Sequence, residues 1–201
     1  DSSNVDDLSG AASAARVELG VIVEINVGQD RCGVDGNTAV ELAKQIVDSP
    51  GLRFDGLMGY EGHTVAERDY ETRKTEAERC MSILTGAADM IRSAGIEVKI
   101  VSASGTGTYN ITGRVEGVTE LQCGSYIFMD GDYAEVFDDF TPALSVLSTV
   151  VSRRGDDLAV TDLGLKSISI DRGLADVLSH SGVSITGHSE EHTKMELKDS
   201  E

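Results

Sequence analysis

The segment VSASGTGTYN, residues 101–110, passes from strand composition into a glycine-rich loop. It continues EVKI (97–100), and Gly105, Thr106 and Gly107 follow. Glycine lets backbone N–H groups approach an anion closely, and successive N–H groups form a nest that suits phosphate oxygens. A second stretch of the same kind, QCGSY (122–126), lies in the next strand candidate and offers Gly124, Ser125 and Tyr126. In (β/α)8 barrels the common phosphate site is built by the loops after strands seven and eight. Two ordinary tight turns are the competing reading.

Working back towards the N-terminus, strands and helices alternate. VIVEINV (21–27) is β-branched and almost continuously apolar, as a strand buried on both faces should be. Val5, Leu8, Ala12, Ala15 and Leu19 recur at a helical period before it, and Gly20 is the expected stop. Thr38 with Glu41 has the spacing of a capping box. The helix it would open carries Val40, Ala43, Ile46 and Val47, and Pro50–Gly51 ends it. RFDGLMGY (53–60) reads as a strand. A long helix over 68–94 follows, with its apolar stripe at Ala77, Met81, Leu84, Ala88 and Ile91. IEVKIVS (96–102) and GVTELQCGSYIFMD (117–130) are the last two strands of this part. Strands separated by helices predict parallel βα units.

After Pro142 the pattern changes. ALSVLSTVVSR (143–153) and DLAVTDLGLKSISI (157–170) are β-rich with no helix between them, joined by the turn RGDD (154–157). Four parallel strands with three helices do not close a barrel, and two or three further strands are part of a β-domain. The chain therefore reads as an internal piece of a longer protein.

Composition narrows the function classes. With 35 acidic and 17 basic residues the net charge is −18, which repels nucleic acid and anionic lipid. No uninterrupted apolar run is long enough to span a bilayer, and DSSNVDDLSG (1–10) lacks the basic-then-apolar pattern of a signal peptide. Cys32, Cys80 and Cys123 form no CxxC, and an odd, widely spaced set fits a reducing, cytoplasmic setting.

Other chemistry-bearing residues each have a bland alternative. Arg31 in GQDRCG sits at a strand's C-terminal end, where it could face a cofactor ring or a carboxylate, or simply water. Tyr60 and His63 in GYEGH also follow a strand; the tyrosine is either a ring-stacking residue or a rim aromatic. His188 and His192 in HSEEH are four apart but do not form HExxH, and no residue set here is read as a metal site. Lys166 lies in an apolar stretch, with its amine either desolvated or snorkelling outward. There is no Walker A loop, no dinucleotide fingerprint and no defensible Ser-His-Asp order.

VEINVGQDRCGV (23–34), LRFDGLMGYEGH (52–63), SASGTGTYN (102–110), TELQCGSYIFMD (119–130) and DLGLKSISIDRGL (162–174) with SEEH (189–192) are together more specific than any one loop. The combination resembles the D-threonine aldolase and D-serine dehydratase family of pyridoxal-phosphate enzymes, which share the alanine racemase fold. The resemblance implies an α/β fold: the second half of a (β/α)8 barrel over 1–140, then the start of a C-terminal β-domain over 141–201. It implies that Gly105, Thr106, Gly124, Ser125 and Tyr126 bind the phosphate of pyridoxal 5′-phosphate, and that Arg31 and Tyr60 lie beside its ring. SEEH would place Glu190, Glu191 or His192 towards the substrate.

The intact protein would then be a homodimeric lyase of D-β-hydroxy amino acids, with a divalent metal such as Mn or Zn. It would bind a small molecule rather than nucleic acid or membrane. The family's Schiff-base lysine lies in a His-x-Lys-Thr-His-like segment, and its metal pair is His-x-Cys or His-x-Asp; neither occurs here. This chain is accordingly expected to contain no catalytic residue and to have no turnover. Two alternatives stay open: a non-catalytic pyridoxal-phosphate-binding module, and another phosphate-binding barrel.

Overall fold

The structure is a computed structural model that describes residues 1–198. Two compact units divide the chain, residues 1–127 and residues 128–201. Among the described residues no helix is long and apolar enough to cross a membrane.

The first unit begins with α1 (Ser2–Ala15), which Asp1 caps by accepting from the Asn4 amide. It runs on through β1 (Leu19–Glu24), α2 (Gly36–Asp48), β2 (Leu52–Gly59), α3 (Tyr70–Ser93), β3 (Ile100–Ala103), the short α4 (Tyr109–Thr112) and β4 (Glu120–Leu121). The four strands pair in the order β1-β2-β3-β4, all parallel. That is the βα alternation the sequence predicts. The helices explain why it packs. The α3 stripe Ala77, Met81, Leu84, Ala88 and Ile91 is fully buried, and α2 contributes Ala39, Ala43 and Ile46. They meet Ile25, Val27, Leu57, Val101 and Ala103 from the strands and their ends in one core. Small alanines on the helices let them approach the β-branched strand residues closely.

Several local expectations are corrected. The first helix does not run to Gly20. Arg16 adopts a left-handed conformation, its amide closes on Ala12 and Ser13, and the helix ends there. Gly20 instead lies inside β1, opposite Arg53. The cap of α2 is Asp35, not Thr38. Asp35 Oδ1 accepts from the amides of Asn37 (2.9 Å) and Thr38 (3.0 Å), and the Thr38 hydroxyl donates to Oδ2. The strand expected over 117–130 shrinks to Glu120–Leu121 and is followed by a 3-10 turn, Ser125–Ile127.

The Asp35 cap gives a testable result. Hydrogen bonds from the Thr38 amide and hydroxyl hold its carboxyl below the usual range. A depressed folded-state value contributes stability that is complete above the unfolded value, about 3.9, and is lost as pH falls through the folded one. Asp35→Ala should lower the urea midpoint at neutral pH. Asp35→Asn should lower it less, because asparagine also caps. The gap between wild type and Asp35→Asn should close in acid, which urea titrations at two pH values would check.

The second unit is mostly antiparallel. A short helix, α5 (Gly131–Ala134), is followed by β5 (Val150–Arg154), β6 (Leu158–Thr161), β7 (Val183–His188) and β8 (Thr193–Leu197), in the sheet order β5-β6-β8-β7. Only part of each β-rich run forms a strand. HSEEH is the β7–β8 turn, closed by the Ser189 amide on the His192 carbonyl at 2.8 Å, so its two histidines do not share a helix face.

Candidate cofactor site

The ends of β1 to β4 carry four loops on the same edge of the parallel sheet, the edge where barrel enzymes hold their chemistry. One residue organises them, and the sequence reading missed it. Glu61, the second residue after β2, is completely buried. Its Oε2 accepts from the Ser104 amide at 3.1 Å. Its Oε1 accepts from the hydroxyls of Thr108 (2.7 Å) and Thr112 (2.6 Å). A buried carboxyl group is tolerable because all these donors converge on it. The result is that the end of β2 fixes the loop after β3.

That loop is tightly specified. Ser104 has φ 77°, a left-handed conformation that costs a non-glycine residue energy, and its amide is the one Glu61 binds. The Thr108 amide returns to the Gly105 carbonyl at 3.2 Å, closing a turn around Thr106 and Gly107. Packing accounts for both glycines. A Cβ on Gly105 would lie 3.0 Å from the Tyr60 ring and from Val65 Cγ1, and one on Gly107 would lie 1.8 Å from the Val65 carbonyl oxygen.

The loop after β4 is bonded to the loop after β3. The Tyr126 amide donates to Thr106 Oγ1 at 3.1 Å, and the Cys123 thiol reaches the Gly105 carbonyl at 3.4 Å. Burial raises the Cys123 thiol above its ordinary value, which favours its protonated form. On the other side of Gly105 stands Tyr60. The Arg31 guanidinium lies 5.5 Å from the Tyr60 ring centroid, a cation–π contact, and 3.8 Å from the Glu24 carboxylate.

Of the residues singled out from the sequence, the structure thus links Arg31, Tyr60, Gly105, Thr106 and Tyr126 into one connected set. Gly124 and Ser125 precede Tyr126 in the chain and are exposed. A Cβ on Gly124 would meet nothing within 4 Å, so packing does not explain that glycine. Lys166, in the second unit, is exposed and paired with Glu191, which is the snorkelling alternative.

A parallel βα sheet with paired glycine–hydroxyl loops at its C-terminal edge, followed by an antiparallel β-unit, defines an alanine racemase-like barrel protein. Residues 1–132 match the family described as "Alanine racemase, N-terminal domain", and residues 143–201 match "Putative serine dehydratase domain". The chain belongs to the alanine racemase N-terminal domain family, with the serine dehydratase-type domain following it. It is 37% identical to the 3-hydroxy-D-aspartate aldolase of Paracoccus denitrificans (strain Pd 1222), over 99% of this chain and 54% of that protein. It is 31% identical to the D-threo-3-hydroxyaspartate dehydratase of Delftia sp. (strain HT23), over 77% of this chain and 42% of that protein. The crystal structure of D-threonine aldolase from Filomicrobium marinum superposes with a TM-score of 0.96 at 37% identity, covering 100% of this chain and 55% of that one. The chain therefore spans about half the length of the curated relatives it matches.

Proposed function

We propose that the intact protein is a pyridoxal-phosphate-dependent lyase of D-β-hydroxy amino acids, and that this chain supplies the phosphate cradle and one wall of the ring pocket. The observation that carries the reading is the bonded pair of loops, 104–108 and 123–126, with Tyr60 packed on one of them. The residues suit the cofactor. Thr106 Oγ1 accepts from the Tyr126 amide, so its own proton is available to a phosphate oxygen. Ser125 adds an exposed hydroxyl, and Gly124 leaves room for a ligand atom to approach the backbone. Arg31 steadies the Tyr60 ring that would lie beside the pyridine.

Bound pyridoxal phosphate supplies an electron sink for charge developing at the substrate Cα. The work of this chain is positional: Glu61 holds the 104–108 loop, and that loop and Tyr60 fix where the ring can lie. The relatives include aldolase and dehydratase names, and both reactions fit the same cradle. In this reading the barrel domain runs to residue 140 and the β-domain starts at 141, later in the chain than the 127/128 division of the two compact units. The intact enzyme is a homodimer of a reducing compartment and uses a divalent metal of the Mn or Zn type. No lysine of this chain matches the Schiff-base position, so the isolated chain should not turn over D-threonine.

Equilibrium dialysis of the full 201-residue chain against pyridoxal phosphate and against pyridoxal tests the cradle. The phosphorylated form should bind roughly tenfold more tightly or better, a difference of about 1.4 kcal/mol. Thr106→Val combined with Ser125→Ala should abolish the preference. Equal retention of the two forms by the wild-type chain would overturn the reading.

A further inference from the structure

A second cluster of chemically reactive side chains lies where the loop after β2 meets α3. Glu76 and Cys80 stand one helical turn apart on α3 and share a face. His63 comes down on them from the loop, which is folded by the Thr64 amide and hydroxyl returning to the Glu61 carbonyl at 3.0 and 2.9 Å. His63 Nε2 is 3.0 Å from Glu76 Oε1 and 3.8 Å from Cys80 Sγ, and that sulfur is 3.9 Å from the same Glu76 oxygen.

From this geometry we infer that His63, Glu76 and Cys80 form a binding site for a borderline-soft divalent cation of the zinc class, which would pin the loop after β2 to α3. The inference does not depend on the cofactor reading, and its ligands differ from the His-x-Cys or His-x-Asp pair discussed above. The triangle of ligand atoms has the right size. A point equidistant from all three lies about 2.1 Å from each, within the zinc–ligand range of about 2.0–2.3 Å. One imidazole, one carboxylate and one thiol make a mixed N, O, S set, which suits zinc or cobalt. Calcium and magnesium want several oxygens and would find only the Glu76 carboxylate. His63 is exposed and Glu76 half-buried, so water can reach a fourth position, while Cys80 anchors the buried corner.

The residue standing in the way is Arg79. Its Nη2 lies 2.5 Å from Glu76 Oε1 and 3.8 Å from Cys80 Sγ, and it also donates to the Val27 carbonyl. In the absence of a metal this guanidinium neutralises the cluster. Its hydrogen bond, with that of His63, holds the Glu76 carboxyl down at about 2, while burial holds the Cys80 thiol up at about 12. The Arg79 side chain is 49% exposed, so water can take over its contacts with Glu76 and the Val27 carbonyl when it swings out. On binding, the Cys80 S–H bond breaks, the sulfur keeps the electron pair and donates it to the metal, and the proton goes to solvent.

Cobalt(II) titration of the metal-free 201-residue chain reads this directly, through the near-ultraviolet sulfur-to-cobalt charge-transfer band. One equivalent should produce the band, and zinc should remove it. The band should be absent in Cys80→Ser and retained in Cys32→Ser and Cys123→Ser. Glu76→Gln, at a half-exposed position that leaves the core untouched, should weaken cobalt binding by roughly tenfold or more. Arg79→Met should strengthen it. No band in the wild-type chain, a band that survives in folded Cys80→Ser, or unchanged affinity in Glu76→Gln would each overturn the assignment.

Discussion

Glu61→Ala is expected to remove several kcal/mol of stability from the barrel unit and, with it, the phosphate preference. The wild-type carboxyl satisfies the Ser104 amide and the Thr108 and Thr112 hydroxyls, all on buried residues. Alanine leaves these donors behind in a cavity. Each orphaned buried donor costs about 1–3 kcal/mol. Thr108 retains partial compensation from the Gly105 carbonyl at 3.4 Å and from Ser104 Oγ at 3.3 Å, so the total should fall near 3–5 kcal/mol rather than at the upper sum. Whole domains are stable by only about 5–15 kcal/mol, so this is a large fraction. The urea midpoint should drop steeply with little change in slope. Glu61→Gln should be intermediate: the hydroxyls can rotate to meet an amide, but the Ser104 N–H cannot turn, and it needs an acceptor. A Glu61→Ala midpoint within the error of wild type would show that the 104–108 loop holds its shape without this residue.

How legible this was from the sequence depends on the range of the interaction. The α3 helix could be read because its stripe repeats locally, and the βα alternation because its strand candidates carry β-branched or apolar runs between helical ones. The apolar period overextends the first helix because Leu19 continues it, yet Leu19 belongs to β1, opposite Leu52. Nothing in the residue type announces that Arg16 takes the left-handed cap position. The 117–130 stretch looks like a strand by composition, but the Tyr126 amide is bound by Thr106 instead of a ladder partner, and the chain turns there. Both glycine loops were visible as candidates. Glu61 was not, because its partners lie 43 to 51 residues further on. Within the His63 cluster, the i, i+4 spacing of Glu76 and Cys80 was the one available signal, and only the loop's fold brings the histidine to it.

The two glycine loops can be separated experimentally, because their glycines are small for different reasons. Gly107→Ala would place a methyl group 1.8 Å from the Val65 carbonyl oxygen and 2.7 Å from the Val65 carbonyl carbon. These are backbone atoms, so one of the two loops must move by more than an ångström. Overpacking of this kind costs about 1–3 kcal/mol and more where the backbone has to yield, as here. The same movement would separate Gly105 from Tyr60, whose ring defines the pocket wall. Gly107→Ala should therefore lower both the urea midpoint and pyridoxal-phosphate retention, the latter by roughly tenfold or more if the shift persists in the folded state. Gly124→Ala is the counterpart. Its methyl meets nothing within 4 Å, and Gly124 is not among the positive-φ residues, so stability should stay within about 0.5 kcal/mol of wild type. If a phosphate oxygen approaches the backbone there, retention of pyridoxal phosphate should still fall while retention of pyridoxal does not. A Gly124→Ala chain with normal stability and normal phosphate preference would confine the cradle to Thr106 and its own loop. Loss of preference without loss of stability would put the anion against the loop after β4.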